Sequence, residues 1–207
     1  ATLDELLRSP WRPIIGIGIG APGLINTREG VLIRSVNLEW RNLPLGSLLQ
    51  ERYKTPVSVM NDSQATAIGE YVYGDHAADS NLVVVTVKHG IGAGLLINGQ
   101  LYQGDGGGAG EIGHIVIQEN GIQCRCGQRG CLETVASAHA ISERMQALTG
   151  EAKPVSLEAI RARFLQGDPF ARQVVLDAGK ALGKAMGALV GALNIKKIVL
   201  TGEMTLF

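Results

Sequence analysis

The chain has 207 residues, of which 45% are apolar, enough for one large domain or two small ones with a sizeable core. Its 19 lysines and arginines balance its 19 aspartates and glutamates, so net charge gives no footprint for nucleic acid or an anionic membrane surface. No apolar run reaches the length of a bilayer span, no signal-peptide pattern is expected at its opening, and three cysteines are an awkward number for a secreted disulfide framework, so the sequence reads as cytoplasmic.

In chain order, residues 1–9 form a polar, helix-like opening. From Pro13 to Gly20, isoleucine and glycine alternate, which predicts a strand with one bulky face and one bare face. A bare face lets another backbone or a ligand come close. Ala21-Pro22-Gly23 is a turn, Val31 to Val36 a strand, and Leu48 to Tyr53 the end of a helix. Val57 to Met60 is a short buried strand that ends in Asn61-Asp62-Ser63-Gln64, with a helical run from Ala65 to Tyr73. A strand ending in polar residues that open a helix is a common ligand site in α/β proteins. Asp62 or Ser63 reads equally well as a plain helix N-cap. Strands follow at Leu82–Val87 and Gly94–Ile97, with Asn98-Gly99 as a hairpin turn and Leu101-Tyr102 beginning the return strand. Between the first two lies Lys88-His89-Gly90-Ile91-Gly92-Ala93-Gly94, and Gly104 to Gly110 is a glycine-rich loop. Leu132–Leu148, Ser156–Leu165 and Pro169–Leu193 carry apolar residues at helical spacing, and Asp168-Pro169 marks a helix start. Gly179, Gly183, Gly187 and Gly191 recur every four residues. Asp177, Lys180 and Lys184 argue against a membrane dimer motif there, so the stripe is expected to pack closely on a sheet or helix. Ile195 to Thr201 is a final strand.

The densest chemistry lies in Gly110-Glu111-Ile112-Gly113-His114, Cys124-Arg125-Cys126-Gly127 and Gly130-Cys131-Leu132-Glu133. Three thiols and an imidazole this close can close a tetrahedral zinc site on His114, Cys124, Cys126 and Cys131. The flanking residues are polar and glycine-rich, so these are not core cysteines, and a Cys124–Cys126 disulfide would be strained. Redox-active or free thiols are the competing reading. Three thiolates around zinc leave about one negative charge. Arg125 and Arg129 are placed to offset it, or are ordinary solvated loop residues. Glu111 and Glu133, beside the cluster, suggest a pocket that the metal shapes.

Together these pieces resemble the ROK family, named for repressors, open reading frames and kinases. The likeness runs from Ile14 to Gly202 and rests on Gly16-Ile-Gly-Ile-Gly-Ala-Pro-Gly23, Asn37-Leu-Glu-Trp40, Asn61-Asp62, Gly90-Ile-Gly-Ala-Gly94, Gly110-Glu-Ile-Gly-His114 and Cys124-x-Cys-Gly-x-x-Gly-Cys-Leu-Glu133. The resemblance implies an actin-like, ribonuclease-H-like α/β fold with two lobes around a sugar cleft. Residues 1–80 would belong to the small lobe, and 81–207 to the large lobe with a zinc-binding insertion at 110–133. In ROK kinases the aspartate of the Asn-Asp pair is the base for the sugar's 6-hydroxyl, which maps to Asp62. Asn61, Asp62, Glu111, His114 and Glu133 map to sugar-binding positions, with His114 shared between a structural zinc and the sugar.

The resemblance also separates two activities. A ROK kinase has an early phosphate loop, and nothing before Ile14 resembles it. The later loop usually reads Gly-Thr-Gly-Ile-Gly; here it is Lys88-His89-Gly90-Ile91-Gly92, leaving Gly90 and Gly92 as weak phosphate-loop candidates. These departures resemble the repressor branch, which keeps the sugar site and loses ATP use. The sequence is thus expected to be the sugar-sensing region of a ROK repressor, with its DNA-binding winged helix elsewhere. The alternative is a hexose kinase using ATP and magnesium. Glucose, xylose or N-acetylglucosamine is the implied ligand class, selected by the loops at Gly23–Asn37 and Gly104–Gly110, and a homodimer or homotetramer the implied assembly. The fold is expected to be incomplete at both ends: the strand at Ile14 to Gly20 would lack its earlier neighbours and expose an apolar edge, and Gly202-Glu203 only begins the adenosine-side glycines.

Overall fold

The computed structural model describes residues 3–6, 14–76 and 79–207. The opening helix α1 spans Leu3–Leu6, where Asp4 pairs with Arg52 at 2.8 Å. The rest of the predicted helix-like opening, and the predicted strand residue Pro13, lie outside the described residues.

The Ile/Gly alternation forms β1, Ile17–Ala21, which pairs in parallel with β5, Val57–Asn61, from Ile17↔Val57 to Ala21↔Asn61. Between them come β2 (Leu24–Asn26), β3 (Val31–Ser35) and β4 (Trp40–Leu43), an antiparallel meander, then helix α2 (Leu45–Tyr53). The short β2 and β4 were not legible in the sequence, because neither carries an apolar alternation long enough to register. Ile25, Leu32 and Val59 fill a small core under this layer.

Helix α3 spans Asp62–Tyr73, starting directly after Asn61, the last residue of β5. It packs on the second sheet, of order β8-β7-β6-β9, where β6 is Leu82–Val87, β7 is Ile91–Ile97, β8 is Gln100–Tyr102 and β9 is Ile198–Thr201. Every residue of β6 is buried, as expected of a strand covered on both faces. Leu82 and Val84 pack with Ala67 of α3 and with Leu96, while Val83, Val85 and Val87 join the main core. Gly94 is where the approach of α3 is tightest: a Cβ there would overlap that of Ala67 and sit 2.9 Å from the Ser63 carbonyl oxygen. Asn98 and Gly99 both have positive φ, 52° and 73°, and make the predicted two-residue turn into β8.

Beyond the glycine-rich loop and the cysteine segment, four helices cover the far face of the sheet: α4 (Glu133–Ala136), α5 (Ala138–Thr149), α6 (Leu157–Leu165) and α7 (Pro169–Leu193). Ile141, Met145, Ile160 and Leu132 are fully buried here, each contributing about 1.5–3 kcal/mol through lost water contact. Two predictions need correcting. The helix expected over Leu132–Leu148 breaks at Ser137, whose extended backbone (ψ 159°) lets its hydroxyl cap Ala140 N–H at 3.1 Å. The glycine stripe of α7 does not pack closely: the helix buries Ala171, Val174, Ala178, Ala181 and Ala185, and a Cβ at Gly179, Gly183, Gly187 or Gly191 meets nothing within 4 Å among the described residues. Small residues recur on both sides of α7, so spacing alone picked the wrong face. Among the described residues, no helix is long and apolar enough to cross a membrane.

Candidate functional site

Asn61, the last residue of β5, caps α3: its Oδ1 accepts from Ser63 N–H at 2.9 Å and Gln64 N–H at 3.1 Å. Its Nδ2 donates to the Gly23 carbonyl at 3.0 Å. The predicted N-cap role thus falls on Asn61 rather than Asp62 or Ser63, and one amide hydrogen remains for a ligand. Asp62 opens the helix, with its carboxylate accepting from Ser63 N–H at 2.8 Å, where the helix N-terminus favours negative charge.

The cysteine segment folds as a tight knuckle. Gln128 accepts from Cys124 N–H at 2.8 Å, Cys124 accepts from Gly127 N–H at 3.0 Å, and a bridge joins Val116 to Cys131. The ligand atoms of His114, Cys124, Cys126 and Cys131 all lie within 4.8 Å of one another. His114 Nδ1 is 3.6 Å from Cys124 Sγ, and Cys126 Sγ is 3.6 Å from Cys131 Sγ. With bonds of about 2.3 Å to sulfur and 2.0–2.1 Å to nitrogen, a tetrahedral ion requires edges of about 3.6–3.8 Å, so the donor set fits a metal. Burial, and hydrogen bonds from the neighbouring thiols, push the Cys131 thiol up to about 12. Burial also raises Cys124. At Cys126 burial is outweighed by hydrogen bonds, first from the Gln128 backbone, and the thiol is lowered. A bound cation would hold all three as thiolates. Arg125 donates to Asn37 Oδ1 at 3.3 Å and Arg129 to the Gly121 carbonyl at 3.2 Å, so both guanidinium groups hold partners within the fold.

His114 turns its other nitrogen away from the thiols: Nε2 is 3.7 Å from Glu111 Oε2. Glu133, first residue of α4, accepts from Ile91 N–H at 3.1 Å. Desolvation raises the Glu111 carboxyl; His114 opposes this, while Asp62 and Glu133 add to it. The three carboxyl groups therefore share one local field. All five predicted sugar-binding residues, Asn61, Asp62, Glu111, His114 and Glu133, line one cavity of about 600 Å³ between the first-sheet loops and the knuckle, within the usual range for small-molecule sites.

Gly90 and Gly92 line the same cavity. A Cβ at Gly92 would overlap Ser63 Oγ and crowd Ser63 Cβ, so close packing accounts for that glycine; at Gly90 it would meet the end of the Glu133 side chain, 2.7 Å from Oε2. Arg34 and Ser35 also line the cavity; they fall within the stretch Gly23–Asn37 expected to select the sugar, but no motif in the sequence marks them individually. Their signal was the inward turn of β3 at Ser35, 2% exposed, legible only once the strand's register is known. The two loops expected to select the sugar are tied together by glutamines: Gln103 Nε2 donates to Thr27 Oγ1 at 3.0 Å and Gln64 Oε1 at 3.2 Å, and Gln64 Nε2 to the Gly107 carbonyl at 3.0 Å.

This sheet order, cleft and His/Cys knuckle define an actin-like, two-lobed α/β protein of the sugar-kinase type. Residues 3–207 match the sequence profile of the ROK family, and the chain belongs to that family. It is 40% identical over 205 residues to a glucokinase of Halalkalibacterium halodurans, covering 93% of this chain and 62% of the relative. It is 35% identical over 202 residues to the xylose repressor of Bacillus subtilis, covering 98% of this chain and 51% of the repressor. The crystal structure of a ROK family transcriptional regulator, a homolog of the E. coli MLC protein, superposes with a TM-score of 0.83 at 36% identity, over 92% of this chain and 50% of the other. The chain thus spans between about half and two thirds of the length of these relatives.

Proposed function

We propose that this chain is the sugar-binding region of a ROK transcriptional repressor, with DNA contacted by a winged helix outside these 207 residues. The observation that carries the reading is the loop between β6 and β7. Where the kinase loop resembles Gly-Thr-Gly-Ile-Gly, Lys88 and His89 project side chains, and His89 stacks on His139 with ring centroids 4.9 Å apart. Backbone approach to a polyphosphate is lost there, while the sugar-facing residues remain. Asp62, Glu111 and Glu133 would accept from sugar hydroxyls, and His114 would donate or accept through Nε2. Zinc, held by His114 Nδ1 and the three thiolates, would be structural and would fix the imidazole's orientation. Sugar between a small lobe at 1–80 and a large lobe at 81–207 would favour one closure angle, and a dimer would pass that shift to the DNA-binding heads.

A second reading is a hexose kinase. It is favoured by the 40% identity to a glucokinase and by Asp62 at the cleft, where a carboxylate can take a hydroxyl proton as it leaves. One experiment decides. The full-length protein is incubated with ATP, magnesium and glucose, xylose or N-acetylglucosamine, and ADP release is followed beside operator binding. Sugar-dependent release from DNA without turnover supports the repressor. Turnover that Asp62→Asn abolishes refutes it.

A further inference from the structure

A second cavity, of about 580 Å³, lies beside the cleft, between the knuckle and α5. Asn37, His89, Gly90, Arg125 and Glu133 line both cavities, so the two meet along a common boundary. On one side of that boundary stand the stacked rings of His89 and His139, tilted by 32°, with His139 Nε2 3.3 Å from Glu143 Oε1. On the other, Arg125 donates to Asn37. Val135, Ala140 and Ala147 offer small apolar walls, and Gln118 and Gln123 offer polar groups.

The charges favour a neutral occupant. Both signs of charge line the space: Arg125, whose contact to the neutral Asn37 amide leaves its charge in place, and Arg144, paired with Asp177 at 2.9 Å, stand with Glu133 and Glu143, so no single sign prevails there. A pyranose suits the site: its C–H faces match flat imidazoles and small aliphatic walls, and its hydroxyl edges match amides and carboxylates.

We propose that this cavity is a second sugar subsite, so that the ligand is a disaccharide. One unit lies among Asp62, Glu111, His114 and Glu133, and the other lies against the His89–His139 pair. The inference rests on the sugar-binding reading above and names its ligand class.

The test is calorimetry on the full-length, zinc-loaded protein. Glucose, xylose and N-acetylglucosamine are compared with maltose, cellobiose, xylobiose and chitobiose. One disaccharide is expected to bind about tenfold or more tighter than its own monosaccharide. Ala147→Trp, which fills the cavity from α5, and Gln118→Ala at its rim should each reduce that advantage while leaving the monosaccharide Kd unchanged. The proposal is overturned if no disaccharide exceeds its monosaccharide, or if both variants weaken the two ligands equally. A monosaccharide bound without any disaccharide gain leaves the sugar-binding reading standing. Failure of every sugar to bind the folded protein removes both.

Discussion

Gly94→Ala tests the packing that places Asn61 and Asp62. The added Cβ would overlap that of Ala67, and would lie 2.9 Å from Ser63 O and 3.2 Å from Gln64 Cα. Ordinary carbon contacts need about 3.5–4.0 Å, so α3 must retreat from β7 by on the order of 1 Å. Overpacking of this kind costs about 1–3 kcal/mol. For a chain of this length that lowers Tm by roughly 2–12 °C. Because α3 begins at Asp62, the shift would also spoil the hydrogen bonds that its carboxylate would accept from the hydroxyls of a bound sugar, weakening binding roughly 10- to 100-fold. Differential scanning fluorimetry gives the first number and calorimetry the second. Combining Gly94→Ala with Ala67→Gly should recover part of the loss, because one of the three clashes disappears while helix propensity costs only about 1 kcal/mol. A Gly94→Ala protein with unchanged Tm and unchanged sugar Kd would refute the close-packing argument.

Metal analysis should find about one zinc per chain, and Cys126→Ser should lower both zinc content and sugar affinity, since His114 loses its anchor; undiminished sugar binding by zinc-free protein would contradict this. Lys197 donates to Asp79 at 2.8 Å, and this hydrogen bond holds the Asp79 carboxyl below its ordinary value near 3.8. A depressed carboxyl contributes stability that is present above the unfolded value and lost as pH falls through the folded one. Asp79→Asn should therefore flatten the acid limb of a urea-denaturation series; an unaltered limb would show that the pair contributes nothing. Gly179→Ala should stabilise this chain by about 0.5–1 kcal/mol, because the exposed position has room for a methyl group, and a fall in Tm would show that the stripe is covered.

The sequence by itself determined the family, the cluster of one imidazole and three thiols that could hold a metal, and the residues that come together at the cleft. Thiols and an imidazole at such short spacing have few other uses, and the Asn61-Asp62 pair stands at a strand-to-helix junction. It also determined the β6 strand, whose unbroken apolar run has one natural environment. Tertiary structure decided what depends on partners far along the chain. The family resemblance makes Asn61 a sugar ligand, but Gly23, Ser63 and Gln64 claim most of its amide. The α7 glycines look like a packing stripe, yet the alanines on the other side face the core. The helix break at Ser137 follows from capping chemistry that an apolar periodicity conceals. The second cavity was invisible for the same reason: His89 and His139 are 50 residues apart in sequence and meet only because the β6–β7 loop lies against the start of α5.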